Sequence, residues 1–450
     1  MAPTSDRPFD FVVYGATGYT GKKVAQYVAQ QYPQLSMAIA GRSKDKLLAV
    51  AEELGLPEST VLVAALPNAK DDDYDDDEEE EKQKETKDQL VQALSQAKIV
   101  LACAGPYRHC GMPLVQAAVE ARTDYLDLCG EPQFFDDTLL ECDEAARTNS
   151  VLVVSACAFD CVPAELSTCL VSKELAKKYP TTSSSQSVAG VEVCHTFIGI
   201  NKANATTFHA AVDGFHAASK GELKASRKKV TDRFPEIANK PPKRPETWPK
   251  LPETPGNLPT YHKDSDSYIL KFPGADAAAI MSSWRYLRLR QPDTYKDRPN
   301  PRLSVCFGVP SQMTGYKIIG MGAIFSGLAS FSFGCDMLHK NPSLFSNGLF
   351  VEGEGPSDAD LEGVSFCTYT TGYGTGEGEV VKVSCKGPEP GYVATPRMLV
   401  ALGLTVLNHR DKLAFSGGVV LPGALFGDTA EVYDNLKENG ISFEVVEETK

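Results

Sequence analysis

Three glycines follow the first apolar segment of the chain at a spacing that can bind phosphate. Gly15, Gly18 and Gly21 stand in the run GATGYTG, between the apolar Phe9–Tyr14 and the helically spaced Tyr19–Gln31. Such glycines permit a tight turn, a close approach of backbone to a pyrophosphate, and close packing of helix on strand. The amide groups of the helix N-terminus then face the phosphates. The predicted dinucleotide contacts are Gly15, Thr17, Gly18, Tyr19, Thr20 and Gly21.

The residues after the second apolar segment select between two dinucleotides. Enzymes that use NAD usually place Asp or Glu at this point, where it holds the ribose 2′-hydroxyl. Here Leu35–Ala40 is followed by Gly41, Arg42 and Ser43. An arginine can pair with the 2′-phosphate of NADP, and the serine can add a hydrogen bond. The sequence therefore predicts NADP, as NADPH, and makes NAD the less favoured cofactor.

Further candidates stand where later predicted strands end. In open parallel sheets, ligands lie outside the carboxyl ends of the strands. Gly105 and Pro106 follow the fourth strand and are expected to line the nicotinamide side of the site. Tyr107 either donates a proton to the substrate or packs on this turn. Glu131 and Asp160 follow the next two strands, where each serves acid–base chemistry or caps a helix. The predicted catalytic residues are Tyr107 and Asp160.

Several other kinds of site lack their residue patterns. The spacing Tyr-x-x-x-Lys occurs as Tyr19 and Lys23 inside the glycine loop itself, which is the wrong place for a catalytic pair, and no GxSxG or HExxH run is present. The 12 cysteines are scattered without a CxxC pair, so neither a metal site nor a disulfide framework is expected. The N-terminus lacks a basic segment followed by an apolar one, which predicts a cytosol-facing, non-secreted protein.

The net charge of −14 is concentrated in one segment. Residues 71–81 carry ten negative charges and no positive one, which leaves −4 for the rest of the 450-residue chain. A uniformly charged run cannot bury surface, so an insertion over about 68–86 is predicted to be solvated and disordered. No concentrated basic surface of the kind that binds nucleic acid is indicated.

Strand-like and helix-like segments alternate over residues 8–154. Strands that are apolar throughout and alternate with helices predict a parallel sheet covered on both faces, in an α/β fold. The pattern changes near residue 188, where a long strand is followed by a helical segment. Seven prolines over 241–259 predict a long loop. Residues 366–387 suggest a β-hairpin.

Residues 318–335 contain no charged side chain. A run of about 18 apolar residues reaches the lower limit for a membrane span. Glycines and serines within the run weaken that interpretation. Three interpretations remain open: an element that lies on a membrane or lipid surface, a buried helix pair, and a true span.

Seven motifs in chain order resemble the saccharopine dehydrogenase-like oxidoreductases, a family that includes bacterial trans-acting enoyl reductases. The motifs are GATGYTG, AGRS, GPYR, GEPQF, AFDCVPAEL, KGPEPGYVATP and GGVVLPGALF. The resemblance implies a Rossmann-type NADP domain over 1–155 with an inserted α+β domain over 156–390. It also implies that 391–450 returns to the first domain. Ala158 departs from the family pattern, which usually has glycine before Phe-Asp.

The resemblance also bears on function. It implies association with lipid droplets or membranes, and the bacterial relatives are linked to the reduction of acyl chains. We therefore expect an NADPH-dependent oxidoreductase that reduces a C=C or C=N bond of a small or lipid-like substrate. The middle domain would bind substrate and form a homodimer. One alternative is a lipid-droplet protein that binds the cofactor without turnover. Another is a true saccharopine dehydrogenase, for which Arg285, Arg288 and Arg290 are the candidate carboxylate ligands.

Overall fold

A computed structural model describes the chain over 6–67, 76–180, 188–200, 202–235, 241–252, 255–256, 258–353 and 355–446, with side chains from residue 80 onward in the second range. The chain forms two compact units. The first contains Met1–Ala158, Thr395–Leu421 and Thr429–Asn439. The second contains Phe159–Ala394, Pro422–Asp428 and Gly440–Lys450. The chain therefore passes from one unit to the other five times.

The N-terminal part of the first unit alternates strands and helices. Its strands are β1 (Phe9–Tyr14), β2 (Met37–Gly41), β3 (Val61–Val63), β4 (Ala97–Ala102), β5 (Asp124–Asp127) and β6 (Leu152–Val154). Its helices are α1 (Tyr19–Gln31), α2 (Lys44–Leu54), α3 (Asp76–Leu94), α4 (Tyr107–Glu120) and α5 (Pro132–Thr148). All pairings among these strands are parallel. Parallel strands need crossover connections, and the helices supply them.

The second unit is built around a mixed sheet. The strands of this unit, in the part of the chain before Thr395, are β7 (Val188–Ile198), β8 (Ala203–Asn204), β9 (Thr260–His262), β10 (Ser267–Lys271), β11 (Arg302–Val309), β12 (Phe350–Val351), β13 (Ser365–Gly374) and β14 (Val380–Pro388). Of these, β8 and β12 form a separate two-stranded sheet. The longer helices of the unit are α6 (Val162–Lys178), α7 (Ala205–Ser219), α8 (Glu222–Arg233) and α9 (Asp276–Arg290). The shorter α10 (Pro292–Tyr295) follows, and then α11 (Gln312–Ala329), α12 (Ser332–Lys340), α13 (Pro342–Phe345) and α14 (Asp358–Leu361).

The C-terminal segments complete both sheets. The helix α15 (Thr395–His409) packs on β4 and α1, and β15 (Gly418–Val420) pairs in parallel with β6. The first sheet thus has seven strands in the order β15-β6-β5-β4-β1-β2-β3. After α16 (Pro422–Phe426) and α17 (Ala430–Glu438), β16 (Ser442–Val446) joins the second sheet, whose order is β16-β14-β13-β7-β11-β10-β9. The predicted fold class, a Rossmann-type parallel sheet with an α+β unit, is confirmed.

The apolar segment 318–335 is divided between two helices. α11 ends at Ala329 and α12 begins at Ser332, so no single helix covers the segment. The two helices pack on α7 around Phe208, Val212 and Leu338. Within the described residues, one helical stretch is long and apolar enough to cross a membrane, Pro390–Lys412, but 78% of its most apolar window is buried.

Two predicted irregular segments have different outcomes. The insertion predicted to be disordered over 68–86 overlaps α3, which begins at Asp76, while 68–75 lie outside the described residues. Glutamate and lysine have high helix propensity, so a long segment rich in them can form a helix. The charge of the segment had predicted disorder instead. Over 241–259, the described residues form no regular helix or strand, although Trp248 is buried.

Candidate functional site

The glycine loop forms a narrow turn between β1 and α1. Gly15 has φ +86°, a conformation that L side chains rarely adopt, and a Cβ there would lie 3.0 Å from the Ala104 amide nitrogen. A Cβ on Gly21 would lie 2.2 Å from the Gly15 carbonyl oxygen, so only glycine lets the helix approach the strand. By contrast, a Cβ on Gly18 would meet that oxygen at 3.4 Å, an ordinary contact. Packing would therefore exclude a side chain at Gly21 but not at Gly18.

The start of α1 suits an anion. Gly18 occupies the N-cap position without a side-chain cap, and the first turn carries no acidic residue. The first amide groups of a helix have no intrahelical partner, and the helix dipole places partial positive charge there. Thr17 is exposed, whereas Tyr19 and Thr20 are half-buried. This turn therefore presents the N-terminal amide groups of a helix where a pyrophosphate would bind.

The end of β2 presents a cationic side chain to solvent. Arg42 is exposed directly after Gly41, the last residue of the strand. Ser43 occupies the N-cap position of α2, but its hydroxyl does not cap the helix. A guanidinium and a hydroxyl at the carboxyl end of the second strand fit a ribose 2′-phosphate.

The turn after β4 is stabilised by the carboxylate of Glu131. Gly105 is exposed and is joined to half-buried Pro106 by a cis peptide bond. The Tyr107 amide donates to Glu131 Oε1 at 2.9 Å, and Glu131 Oε2 accepts from Arg108 Nε at 2.8 Å. Glu131 stands at the N-cap position of α5, but its side chain does not cap that helix and instead fixes the start of α4.

The Tyr107 hydroxyl is engaged by backbone. It donates to the Ala102 carbonyl at 2.8 Å and accepts from the Leu128 amide at 3.1 Å. Burial, with Asp127 as the next cause, raises the pKa of Tyr107 well above its ordinary value. These contacts favour a structural role, in which Tyr107 links the carboxyl ends of the adjacent strands β4 and β5.

Asp160 stands six residues after β6, in the turn that leads into α6. It is exposed, and its carboxylate forms no hydrogen bond within the described residues. Displacement of water by the surrounding protein, with Asp276 as the next cause and His195 opposing both, raises the pKa of Asp160 to about 6. A reachable carboxyl group with such a pKa can exchange a proton near neutral pH. His195 and Asp276 were not singled out as site residues from the sequence.

The remaining candidates do not converge on a site. Arg288 is buried and donates to Asn300 Oδ1, while Arg285 lies over the Tyr286 ring and donates to Ser282. Among the residues that the structure describes, no cluster of His, Cys, Asp and Glu has the arrangement of a metal site.

Comparison with known proteins agrees with this geometry. The family model of the saccharopine dehydrogenase NADP-binding domain matches residues 11–154. A mouse saccharopine dehydrogenase-like oxidoreductase is 30% identical, with 98% of each chain covered. The chain belongs to the saccharopine dehydrogenase-like oxidoreductases. It is accordingly an NAD(P)-dependent oxidoreductase, and its glycine-loop unit is an NADP-binding domain.

Two further proteins are similar to this oxidoreductase over nearly its whole length. A lipid droplet localized protein of Caenorhabditis elegans is 29% identical, covering 98% of this chain and 99% of the relative. The solved structure of apo saccharopine dehydrogenase (L-Glu forming) from Saccharomyces cerevisiae aligns with 98% of this chain at a TM-score of 0.51 and 11% identity. At that identity the structural likeness concerns the fold alone.

Proposed function

We propose that this oxidoreductase reduces a C=C or C=N bond in an acyl or other lipid-like substrate, and does so at the surface of a membrane or lipid droplet. The apolar surface of α11 and α12 carries this proposal. The resemblance to trans-acting enoyl reductases and the name of the nematode relative support the substrate class and the location.

α11 exposes apolar side chains along most of its length. Met313 is 64% and Ile324 60% exposed, and Tyr316 is also exposed. Phe331 and Phe333, at the start of α12, are exposed as well. Lys317 is the only charged residue of α11. Contiguous exposed apolar surface is unusual in a protein that meets only water, and marks contact with a partner or a lipid.

A basic helix belongs to the same helical group. α8 exposes Lys224, Arg227, Lys228 and Lys229 and packs on α7, which also contacts α11 and α12. An apolar helix surface with lysine and arginine nearby is the composition of interfacial elements that bind anionic lipid. We therefore expect binding to increase with the anionic lipid content.

Asp160 is the proposed proton donor. NADPH, when held by the glycine loop, Arg42 and Ser43, supplies the hydride. The Asp160 carboxyl group gives its proton to the other atom of the double bond, so that one hydride and one proton add across it. Because Asp160 is exposed, solvent can return the lost proton.

Turnover tests the chemical part of the proposal. NADPH oxidation would be measured with enoyl and imine acyl substrates and with saccharopine. Asp160→Asn should lower kcat at least about tenfold while NADPH affinity is retained, since one general acid contributes roughly 10²–10⁴-fold. Asp297→Asn, an exposed carboxylate elsewhere, is the control. NADPH binding without oxidation of any substrate would instead favour the non-catalytic cofactor-binding protein.

Vesicle binding tests the surface. Met313→Asp combined with Ile324→Asp should release the protein from phosphatidylcholine–phosphatidylserine vesicles in a flotation assay. Ile198→Asp, at a side chain 68% exposed on β7, should leave binding intact. Equal flotation of both variants, or no flotation of the unaltered protein, would contradict the lipid-surface role.

A further inference from the structure

A histidine and an aspartate are paired in the interior of the second unit. His195 on β7 and Asp276 at the start of α9 are both 0% exposed. His195 Nε2 lies 3.2 Å from Asp276 Oδ1, within ion-pair distance, although the contact lacks the alignment of a good hydrogen bond. His195 Nδ1 lies 2.9 Å from Thr368 Oγ1. A nitrogen and a carboxylate oxygen at this distance attract each other only when a proton lies between them, because two lone pairs would repel.

Aromatic rings enclose this pair. Phe272 lies 4.9 Å from the His195 ring and Phe159 lies 5.7 Å from it, centroid to centroid. Phe159 also contacts Phe366 at 4.8 Å. An apolar enclosure strengthens electrostatic interactions and makes an unpaired charge costly. A first-turn carboxylate stabilises a helix dipole equally well at the surface, so capping α9 does not account for the burial of Asp276.

The pair is coupled to Asp160 through the chain. Phe159, whose ring contacts His195, immediately precedes Asp160. Burial is the largest cause of the raised pKa of Asp160; the charge of Asp276 raises this pKa further and the charge of His195 lowers it. Other titratable groups that face this cluster are Glu165, which interacts with Asp276, and Tyr392, which interacts with Asp160 and Glu389.

We propose that His195 and Asp276 are positioning residues that hold one proton between them and thereby set the protonation of Asp160. The proposal rests on the proposed function, in which Asp160 is the acid. It adds that the ionisation of this acid is controlled from the protein interior, by two residues that touch neither substrate nor cofactor.

Chemical labelling of Asp160 tests this without turnover. Carbodiimide coupling with glycine ethyl ester consumes protonated carboxyl groups, and mass spectrometry of peptides would follow Asp160 from pH 4 to 8. Exposed Asp297 serves as internal reference. In the unaltered protein, the labelling midpoint of Asp160 should lie near its pKa of about 6. A midpoint equal to that of Asp297 would overturn the proposal, whether or not the variants below fold.

Two substitutions should move the midpoint in opposite directions. Asp276→Asn removes the charge that disfavours ionisation and should lower the midpoint, while His195→Gln should raise it, each by roughly half to one pH unit. Thr368→Val, equally buried against the same ring, controls for lost packing and should shift it less. If both folded variants shift the labelling midpoint in the same direction, or if neither shifts it, the proposed control of Asp160 by His195 and Asp276 is wrong. If the midpoints shift in opposite directions but no substrate supports NADPH oxidation, the proposed control of Asp160 stands and only the proposed reaction is refuted.

Discussion

At the residue scale, the three glycines of the loop have different duties. The sequence predicted all three as cofactor positions, and their spacing after a strand was sufficient for that. It could not show that Gly21 is required by the Gly15 carbonyl whereas Gly18 has room for a side chain, because this depends on distances across the turn.

Gly18→Ala should therefore separate cofactor binding from folding. The added methyl group makes only an ordinary contact, so the thermal midpoint should stay near that of the unaltered protein. NADPH affinity should fall about tenfold or more, because the methyl group stands where backbone approaches the pyrophosphate. Fluorescence titration measures the NADPH affinity, and thermal unfolding measures the thermal midpoint. Gly21→Ala should lower both, and unchanged affinity in Gly18→Ala would contradict the assigned position of the pyrophosphate.

A second residue-scale prediction concerns Glu165 in α6. This buried side chain accepts hydrogen bonds from the Ser283 hydroxyl and the Gly423 amide. Burial raises its pKa from 4.5 to about 7. The folded state then binds the proton more tightly than the unfolded state, so stability falls as pH rises from about 4.5 to 7.

Glu165→Gln should remove this pH dependence. At pH 8 the variant should gain roughly 1–3 kcal/mol in the free energy of unfolding relative to the unaltered protein, and little at pH 4.5. Denaturant unfolding at the two pH values provides the measurement, with Glu174→Gln on the same helix as control. A gain of equal size at both pH values would show that Glu165 is not protonated on folding.

At the element scale, the strands and helices that surround the glycine loop were predictable because apolar runs and helical spacing are local signals. The strand β15, Gly418–Val420, was not predicted, because it lies far along the chain from the alternating pattern of residues 8–154 that indicated the other strands of its sheet. The pairing of His195 with Asp276 was equally invisible, since it depends on β7 and α9 meeting in the folded unit. Apolar α11 could not be assigned to surface or interior because its residues are apolar on all sides.

One amide at the C-terminal end of α17 links it by hydrogen bonds to α1 and to the residue that ends α1. Asn439 Oδ1 accepts from the Tyr27 hydroxyl at 2.7 Å and from the Tyr32 hydroxyl at 2.9 Å. Asn439→Ala would leave both hydroxyl groups without this acceptor and should cost about 2–3 kcal/mol in the free energy of unfolding. The same change in a Tyr27→Phe, Tyr32→Phe background leaves no hydroxyl group without an acceptor and should cost less. Chemical denaturation would compare the two losses, and equal losses would point to packing of the side chain instead.

At the scale of the whole molecule, the sequence placed the boundaries of the inserted unit at 155/156 and 390/391, whereas the structure divides the chain after Ala158 and Ala394. The C-terminal region was expected to return to the first unit as a whole. Pro422–Asp428 and Gly440–Lys450 instead belong to the second. Nothing in the pattern of β16 identifies the sheet that it joins.

The fragment 1–158 should not fold stably by itself. It lacks α15, whose buried side chains pack on β4 and α1, and also the edge strand β15. We expect aggregation or non-cooperative thermal unfolding, measured by circular dichroism and size-exclusion chromatography. A chain that joins 1–158 to 395–439 by a flexible linker should recover cooperative unfolding. A cooperative transition in the short fragment would contradict this prediction.

The five passages of the chain between its two units also constrain how such a protein can change through recombination. Where a dinucleotide-binding unit is continuous in sequence, one crossover can join it to a new partner. Here a single crossover would split at least one unit and leave its sheet without an edge strand. Changes in the second unit are therefore expected to arise by point substitution, with the cofactor unit inherited alongside it.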